Sequence, residues 1–258
     1  MKYYDLDIKL KYPEFEATIE HMPETVKNAR NLKDGYIRGC SIQWGNVIDT
    51  ISKDETFCLA YSIAKSRSTA VTDANLVNIY LIMRFSLSHL AAGHIAEFGS
   101  ANGGSGLFMA TVARKYCPDL QVLCFDTFEG MPSTDSSRDA HKKGDFEGID
   151  FNEINSVAAS LNLQNISFIK GLLQETAPMI LPNFSPIVMT HIDVDIYESV
   201  KCAYNIIKEH MVPGGYIVFD DPLAPSCIGA LEAVEECLVR RDQLHAEQAW
   251  PHLVFRAP

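Results

Sequence analysis

The segment His191-Ile-Asp-Val-Asp-Ile-Tyr-Glu-Ser199 and the stretch Phe219-Asp220-Asp221, which begins its acidic pair 27 residues after Asp193, carry the residue types best suited to chemistry in this chain. Each acidic group closes a short apolar run, Ile187 to Thr190 and Tyr216 to Phe219, so two strands of one sheet would deliver carboxylates to the same edge. Converging carboxylates repel one another and take up protons unless a cation neutralises them. An all-oxygen donor set suits Mg²⁺, Ca²⁺ or Mn²⁺. Taken singly, Asp193 or Asp195 reads as a helix cap and Asp220-Asp221 as the start of a loop; together, after two apolar runs, they point to a metal site. His191 has two readings, a base or a hydrogen-bonded histidine under the sheet.

A second group lies upstream. Glu97-Phe-Gly-Ser-Ala-Asn-Gly-Gly-Ser-Gly106 joins an apolar run to a helical pattern, where a tight turn needs glycine and the backbone can come close to a ligand. The spacing of Gly99, Gly103, Gly104 and Gly106 departs from the dinucleotide G-x-G-x-x-G pattern, which weakens a pyrophosphate site. Asp126, 20 residues beyond Gly106, ends the next apolar run, where an acid accepts hydrogen bonds from ribose hydroxyls or simply caps the strand.

These residues need an element pattern that places them together. From His94 onward, strand-like runs at Ile95–Phe98, Val122–Phe125, Ile166–Ile169, Ile187–Thr190 and Tyr216–Phe219 alternate with helical stretches, which predicts an α/β fold with a mostly parallel, Rossmann-like sheet. Helical spacing covers Leu107–Tyr116, Ala74–Leu90 and Leu231–Arg241. Ala246–Trp250 and Leu253–Arg256 predict a terminal hairpin that adds antiparallel edge strands. Residues 1–73 lack the alternation and are expected to form a helical cap, lid or oligomerisation segment, with the principal domain at 74–258. Ser133–Asp150, polar and glycine-containing, is expected as a mobile excursion near the ligand edge.

Composition narrows the partners. With 22 basic against 33 acidic residues the net charge is −11, which disfavours nucleic acid and anionic membranes. The seven cysteines form no C-x-x-C pair, so neither a disulfide framework nor a zinc ribbon is indicated. No apolar run approaches the roughly 18 residues of a membrane span, and a cytoplasmic, reduced protein that forms a homo-oligomer is expected.

Glu97-Phe-Gly with Gly103-Gly104, Phe125-Asp-Thr-Phe-Glu-Gly-Met-Pro132, Lys170-Gly-Leu-Leu-Gln-Glu-Thr-Ala-Pro178, Ile192 to Ser199 and Pro213-Gly-Gly-Tyr-Ile-Val-Phe-Asp-Asp221 together resemble the macrocin O-methyltransferase family of class I S-adenosylmethionine enzymes. The resemblance runs in order from about Leu76 to Leu238. It implies S-adenosylmethionine over the glycine loop, with Asp126 on its ribose and Glu97 near its methionine end; Gly99, Ser100, Gly103, Gly104, Ser105, Thr127, Gly171 and Asp193 complete the expected cofactor-binding set. It further implies Mg²⁺ on Asp193, Asp220 and Asp221, and Asp195 as catalytic base, with His191 the competing base. Pro222, where the family often carries tyrosine, and Leu172-Leu173, in place of an aromatic pair, leave the acceptor open. The residues after Asp193 are Val, Asp, Ile and Tyr, with no lysine of the catechol methyltransferase kind, so the expected partner is a small-molecule hydroxyl acceptor, a sugar or glycosylated natural product, with a non-sugar acceptor as alternative. A nicotinamide-dependent oxidoreductase would share the glycine loop without needing the carboxylates, and a non-catalytic binding protein would be expected to have lost one of them.

Overall fold

The computed structural model describes residues 51–258. Its centre is a seven-stranded sheet in the order β3-β2-β1-β4-β5-β7-β6, built from β1 (His94–Phe98), β2 (Val122–Asp126), β3 (Ile166–Lys170), β4 (Ile187–Ile192), β5 (Met211–Phe219), β6 (Ala246–Gln248) and β7 (Leu253–Arg256). The first five pair in parallel, whereas β7 runs antiparallel to β5 and β6 antiparallel to β7. This is the mostly parallel sheet with an antiparallel end that the alternating pattern predicts.

The helices α1 (Glu55–Ser66), α2 (Asp73–Phe85), α3 (Gly104–Tyr116), α4 (Phe151–Ser160), α5 (Leu173–Ile180), α6 (Tyr197–Ile207) and α7 (Ile228–Val234) cover the sheet. Side-chain alternation along the strands sorts the core into two layers. Ile95, Val122, Cys124 and Val218 face α1, α2 and α3, whereas Ala96, Leu123, Ile217 and Phe219 face α5, α6 and α7. Every residue of β4 is buried, as a central strand covered on both faces requires. In α3 the run Gly104–Ala113 is buried throughout, because α1 closes over the side that the sheet leaves open; the Phe57 and Phe108 rings meet edge to face, 5.9 Å apart.

The boundary expected after residue 73 does not divide the molecule. Phe57, Ala60, Ala64 and Val71 share one core with Leu76, Tyr80, Leu107 and Phe108, because α1 has an apolar face that only α3 can bury. Its start is secured by Asp54, whose Oδ1 accepts the Thr56 and Phe57 amides at 2.9 and 3.0 Å. Asp54 Oδ2 accepts from Arg84 at 2.8 Å and from the Tyr116 hydroxyl, tying α1, α2 and α3 at one point. The remainder of the expected cap, residues 1–50, lies outside the described residues.

Strand order reverses between β1 and β4: the chain goes from β1 outward to β2 and β3, then returns to β4 and β5. Such a switch point opens a crevice at the carboxyl ends of the two strands. Here they end very close together, the Asp193 amide donating to the Phe98 carbonyl at 2.8 Å. Gly99, at φ +85°, has to be glycine, since a Cβ would stand 1.7 Å from the Asp193 carbonyl oxygen.

Two further expectations are refined. Ala74–Leu90 is a helix only to Phe85, followed by a 3₁₀ turn at Leu87–His89. The segment 133–150 is tied down over α6 and α7: Asp139 Oδ1 accepts the Tyr197 amide at 2.9 Å, and the Arg138 guanidinium lies 4.0 Å from the centre of the Tyr197 ring. No helix among the described residues is long and apolar enough to cross a membrane.

Candidate active site

Four strand ends meet at the crevice, and each brings an acid. On the β1–β2 side, Glu97 is fully buried; its Oε1 pairs with His191 Nδ1 at 3.1 Å and its Oε2 accepts from the Ser100 hydroxyl. Asp126 holds the glycine loop. Its Oδ2 accepts the Ser100 and Ala101 amides at 2.8 and 2.9 Å, and its Oδ1 the Phe128 amide at 2.7 Å. A carboxylate offers about four acceptor directions, and the Thr127 hydroxyl, 3.5 Å from Oδ1, gives its single proton to the nearer Gly130 carbonyl, so these bonds leave one direction on Oδ1. Thr127 donates its hydroxyl to the Gly130 carbonyl at 2.7 Å, and the Gly171 amide reaches the Asp126 carbonyl at 2.9 Å.

The glycines answer to the protein's own packing. A Cβ on Gly103 would meet Ile154 at 2.7 Å, on Gly104 it would meet Thr69 at 2.7 Å, and on Gly106 it would meet Cys124 at 2.5 Å. Close contact with α4, the α1–α2 connection and β2 is thus one reason for glycine at these three positions. Ser105, in the first turn of α3, is buried. Arg67 anchors the loop by donating to the Asn102 carbonyl at 3.0 Å and to Glu153 at 2.7 Å.

On the β4–β5 side, Asp193, Asp220 and Asp221 each bring a carboxylate oxygen into a group whose members all lie within 4.8 Å of one another. Burial, with the charges of Asp220 and Asp221, pushes the Asp193 carboxyl well above its ordinary range. Burial, with the charges of Asp195 and Asp220, does the same to Asp221. Asp220 goes the other way. Burial opposes its ionisation, but His191 and His252 beside it hold it far below the usual carboxylate range. Its Oδ1 accepts from Asn75 Nδ2 at 2.7 Å and pairs with His252 Nε2 at 3.0 Å. His252 Nδ1 lies 3.0 Å from Asn78 Nδ2. An amide nitrogen can only donate, so Nδ1 is the acceptor and Nε2 carries the proton toward Asp220.

His191 takes the buried alternative. It is fully enclosed, with Nδ1 on Glu97 and Nε2 3.7 Å from Asp220 Oδ1. Despite burial, Asp220 and Glu97 raise its pKa to about 9, so it is a cation joining the two halves of the crevice. Of the two expected bases, the His191 side chain is fully enclosed whereas that of Asp195 is 20% exposed.

Asp195 sits past the strand end in the left-handed region, φ +58°, a conformation that costs an ordinary residue energy and marks functional turns. Its amide donates to Asp221 Oδ2 at 2.7 Å, and its Oδ1 accepts from Cys227 Sγ at 3.4 Å. Burial raises its pKa. Ala101 and Phe128, at φ +41° and +51°, place further left-handed residues after β1 and β2.

Sequence reasoning missed Asn75, Asn78, His252 and His141. The asparagines had a signal, as amides within the apolar helical pattern of α2. His252 and His141 had none: the first arrives on the terminal hairpin, the second on the 133–150 segment, with Nε2 3.7 Å from Asp195 Oδ1.

A sequence profile for the macrocin O-methyltransferases (TylF) matches residues 64–243. The chain belongs to the macrocin O-methyltransferase family. A Streptomyces olivaceus protein named 8-demethyl-8-(2,3-dimethoxy-alpha-L-rhamnosyl)-tetracenomycin-C 4'-O-methyltransferase is 25% identical over 173 residues, covering 63% of this chain and 66% of that one. The demethyldecarbamoylnovobiocin O-methyltransferase of Streptomyces niveus is 22% identical over 175 residues, 64% of this chain and 66% of that one. The match thus spans just under two thirds of each relative's length. Among solved structures, the calicheamicin methyltransferase CalS11 shares the fold with a TM-score of 0.62 at 21% identity, over 70% of this chain and 77% of that one.

Proposed function

We propose that this macrocin O-methyltransferase family member moves a methyl group from S-adenosylmethionine to a hydroxyl of a glycosylated small molecule, with a divalent cation, Mg²⁺, at the acceptor end. The observation that carries the reading is the set Asp193, Asp220 and Asp221 beside Asp195, at the same sheet edge as the glycine loop. Membership in the family and relatives named for methylation of rhamnosyl-tetracenomycin and of a novobiocin precursor support the reaction class and the acceptor class.

The residues fit both groups. At Asp193 and Asp221 burial and neighbouring like charge outweigh the protein's own donors, among them the Asp195 amide on Asp221, and an all-oxygen set favours a hard cation over a soft one. On the other side, Asp126 retains an acceptor direction for a ribose hydroxyl, and Glu97 lies at the mouth of the loop's first turn. Glu97, Gly99, Ser100, Gly103, Gly104, Ser105, Asp126, Thr127, Gly171 and Asp193 would line the cofactor; Asp193, Asp220 and Asp221 would hold the ion.

Bound S-adenosylmethionine supplies an electrophilic methyl group, and a bound Mg²⁺ makes an acceptor hydroxyl more acidic. The chain's part is to orient and to take a proton. Asp195 accepts the hydroxyl proton on a carboxylate oxygen; burial makes that oxygen more basic, and the bond from its own amide to Asp221 fixes where it stands. His191 stands between Glu97 and Asp220 and holds them apart, a positioning role. Asn75 and His252 fix the face that Asp220 turns to the crevice. The acceptor surface includes the 133–150 segment over Asp195.

The test is transfer of labelled methyl from S-adenosylmethionine to a panel of rhamnosylated and other deoxysugar-bearing aglycones, with simple catechols as controls. Label should enter a sugar-bearing acceptor and stop on addition of EDTA. Full turnover in excess EDTA sinks the cation, and transfer to catechols alone sinks the acceptor class.

A further inference from the structure

Beside the all-oxygen group stands a second cluster of different chemistry. Cys227 Sγ, Asp195 Oδ1 and His141 Nε2 form a triangle with sides of 3.4, 3.7 and 3.7 Å. Bonds of about 2.0 Å to nitrogen or oxygen and about 2.3 Å to sulfur, at tetrahedral angles, separate donors by about 3.3–3.5 Å. The three atoms are therefore within a few tenths of an ångström of one face of a zinc tetrahedron.

The surroundings match that use. His141 turns its other nitrogen, Nδ1, to Asp145 Oδ2 at 3.2 Å, and Asp145 is itself held by the Lys142 amide at 2.9 Å. A carboxylate behind a ligating imidazole fixes the ring and strengthens it as a donor. Ser226 Oγ lies 3.4 Å from the sulfur. The side chains of His141 and Asp195 are 17% and 20% exposed, which leaves a way in from solvent. Among the described residues, Cys227 is the only thiol in any group of three or more such ligand atoms.

We propose that His141, Asp195 and Cys227 form a binding site for a thiophilic divalent ion of the Zn²⁺ type, distinct from the Asp193, Asp220 and Asp221 group. Thiolate and imidazole select against Mg²⁺ and for Zn²⁺, so two cations of different softness sort themselves along one sheet edge. Binding replaces the S–H bond of Cys227 by a sulfur–metal bond and releases that proton to solvent. The ion takes the Asp195 oxygen, so Zn²⁺ inhibits methyl transfer; this consequence rests on the function proposed above, whereas the site itself does not.

Co²⁺ is the probe, added to the full chain in saturating Mg²⁺. A near-ultraviolet thiolate-to-cobalt band should grow to one equivalent and vanish on adding Zn²⁺. Cys227→Ser should lose the band, and Asp220→Asn should keep it. Should Cys227→Ser fail to fold, two changes on the 133–150 segment serve instead: His141→Ala should weaken Co²⁺ at least tenfold, and Asp145→Ala by about 10- to 100-fold, the usual worth of the group behind a ligating histidine. No band in the wild type, or a band of equal affinity in Cys227→Ser or His141→Ala, overturns the site. One equivalent of Zn²⁺ should lower the methyl-transfer rate at least tenfold; an unchanged rate with the site filled refutes inhibition. A band in a protein that transfers no methyl group upholds the site and counts against the methyltransferase reading instead.

Discussion

The two halves of the crevice treat their carboxylates in opposite ways. After β1 and β2, Glu97 and Asp126 are supplied with donors from the protein itself: Ser100, His191 and three loop amides. After β4 and β5, Asp193 and Asp221 are crowded by burial and by like charge; Asp221 accepts the Asp195 amide, and Asp220 is the one of the three held by histidine and by Asn75. The first half is finished by folding, whereas the second holds unneutralised acid that an ion can complete. Acidic residues at strand ends thus say little by themselves; what separates a loop strap from an ion site is the number of donors already in place.

The largest expected effect falls at the join. Asp195→Asn should cut kcat by about 10²- to 10⁴-fold, the usual worth of a positioned base, with S-adenosylmethionine and Mg²⁺ affinities close to wild type. If the variant loses Mg²⁺ affinity instead and excess metal rescues it, Asp195 belongs to the ion group and the proton has another route.

On the finished side, Asp126→Ala strands three amides and should destabilise the metal-free fold by about 2–4 kcal/mol while weakening S-adenosylmethionine by about 1–3 kcal/mol. On the unfinished side the sign should reverse. Asp221→Asn keeps an acceptor for the Asp195 amide and removes a like charge, so the metal-free protein should gain on the order of 1–2 kcal/mol. Urea unfolding in EDTA checks both, and a loss from Asp221→Asn as large as that from Asp126→Ala erases the contrast.

The smallest effect belongs to a reference point away from the crevice. Burial raises the pKa of Asp54, but the Tyr116, Phe57, Tyr80 and Arg84 partners outweigh it and leave it lowered. A lowered folded pKa contributes stability above the unfolded value of about 3.9 that disappears as pH falls through the folded one. Asp54→Asn should cost roughly 1 kcal/mol at pH 7, and its curve should converge with the wild type below about pH 4. Ligand affinities should stay unchanged.

Much of this was legible before the coordinates. Apolar runs closed by acids, in alternation with helices, place Glu97, Asp126, Asp193 and Asp220 at one edge, because parallel strands with helical crossovers all end on the same side. The terminal antiparallel hairpin was legible as well. What could not be read were contacts across long separations. Asn75 reaches Asp220 over 145 positions and His252 over 32, and no local period announces either. The bounds of α1 are hidden because its cap lies within the polar run Lys53-Asp-Glu-Thr56 and its apolar face is complete only against α3. The packing of Ile154, Thr69 and Cys124 against the glycines likewise exists only in the folded chain.

The most direct test is calorimetric titration of Mg²⁺ into the wild type, Asp220→Asn and Asp126→Ala. The wild type should bind one ion and melt at a higher temperature with it, since a ligand of the native state stabilises by mass action. Asp220→Asn should lose at least about tenfold in Mg²⁺ affinity, equivalent to about 1.4 kcal/mol, and Asp126→Ala should bind Mg²⁺ as the wild type does. A wild type that takes up no Mg²⁺, or an Asp220→Asn variant that binds it equally well, would contradict the account.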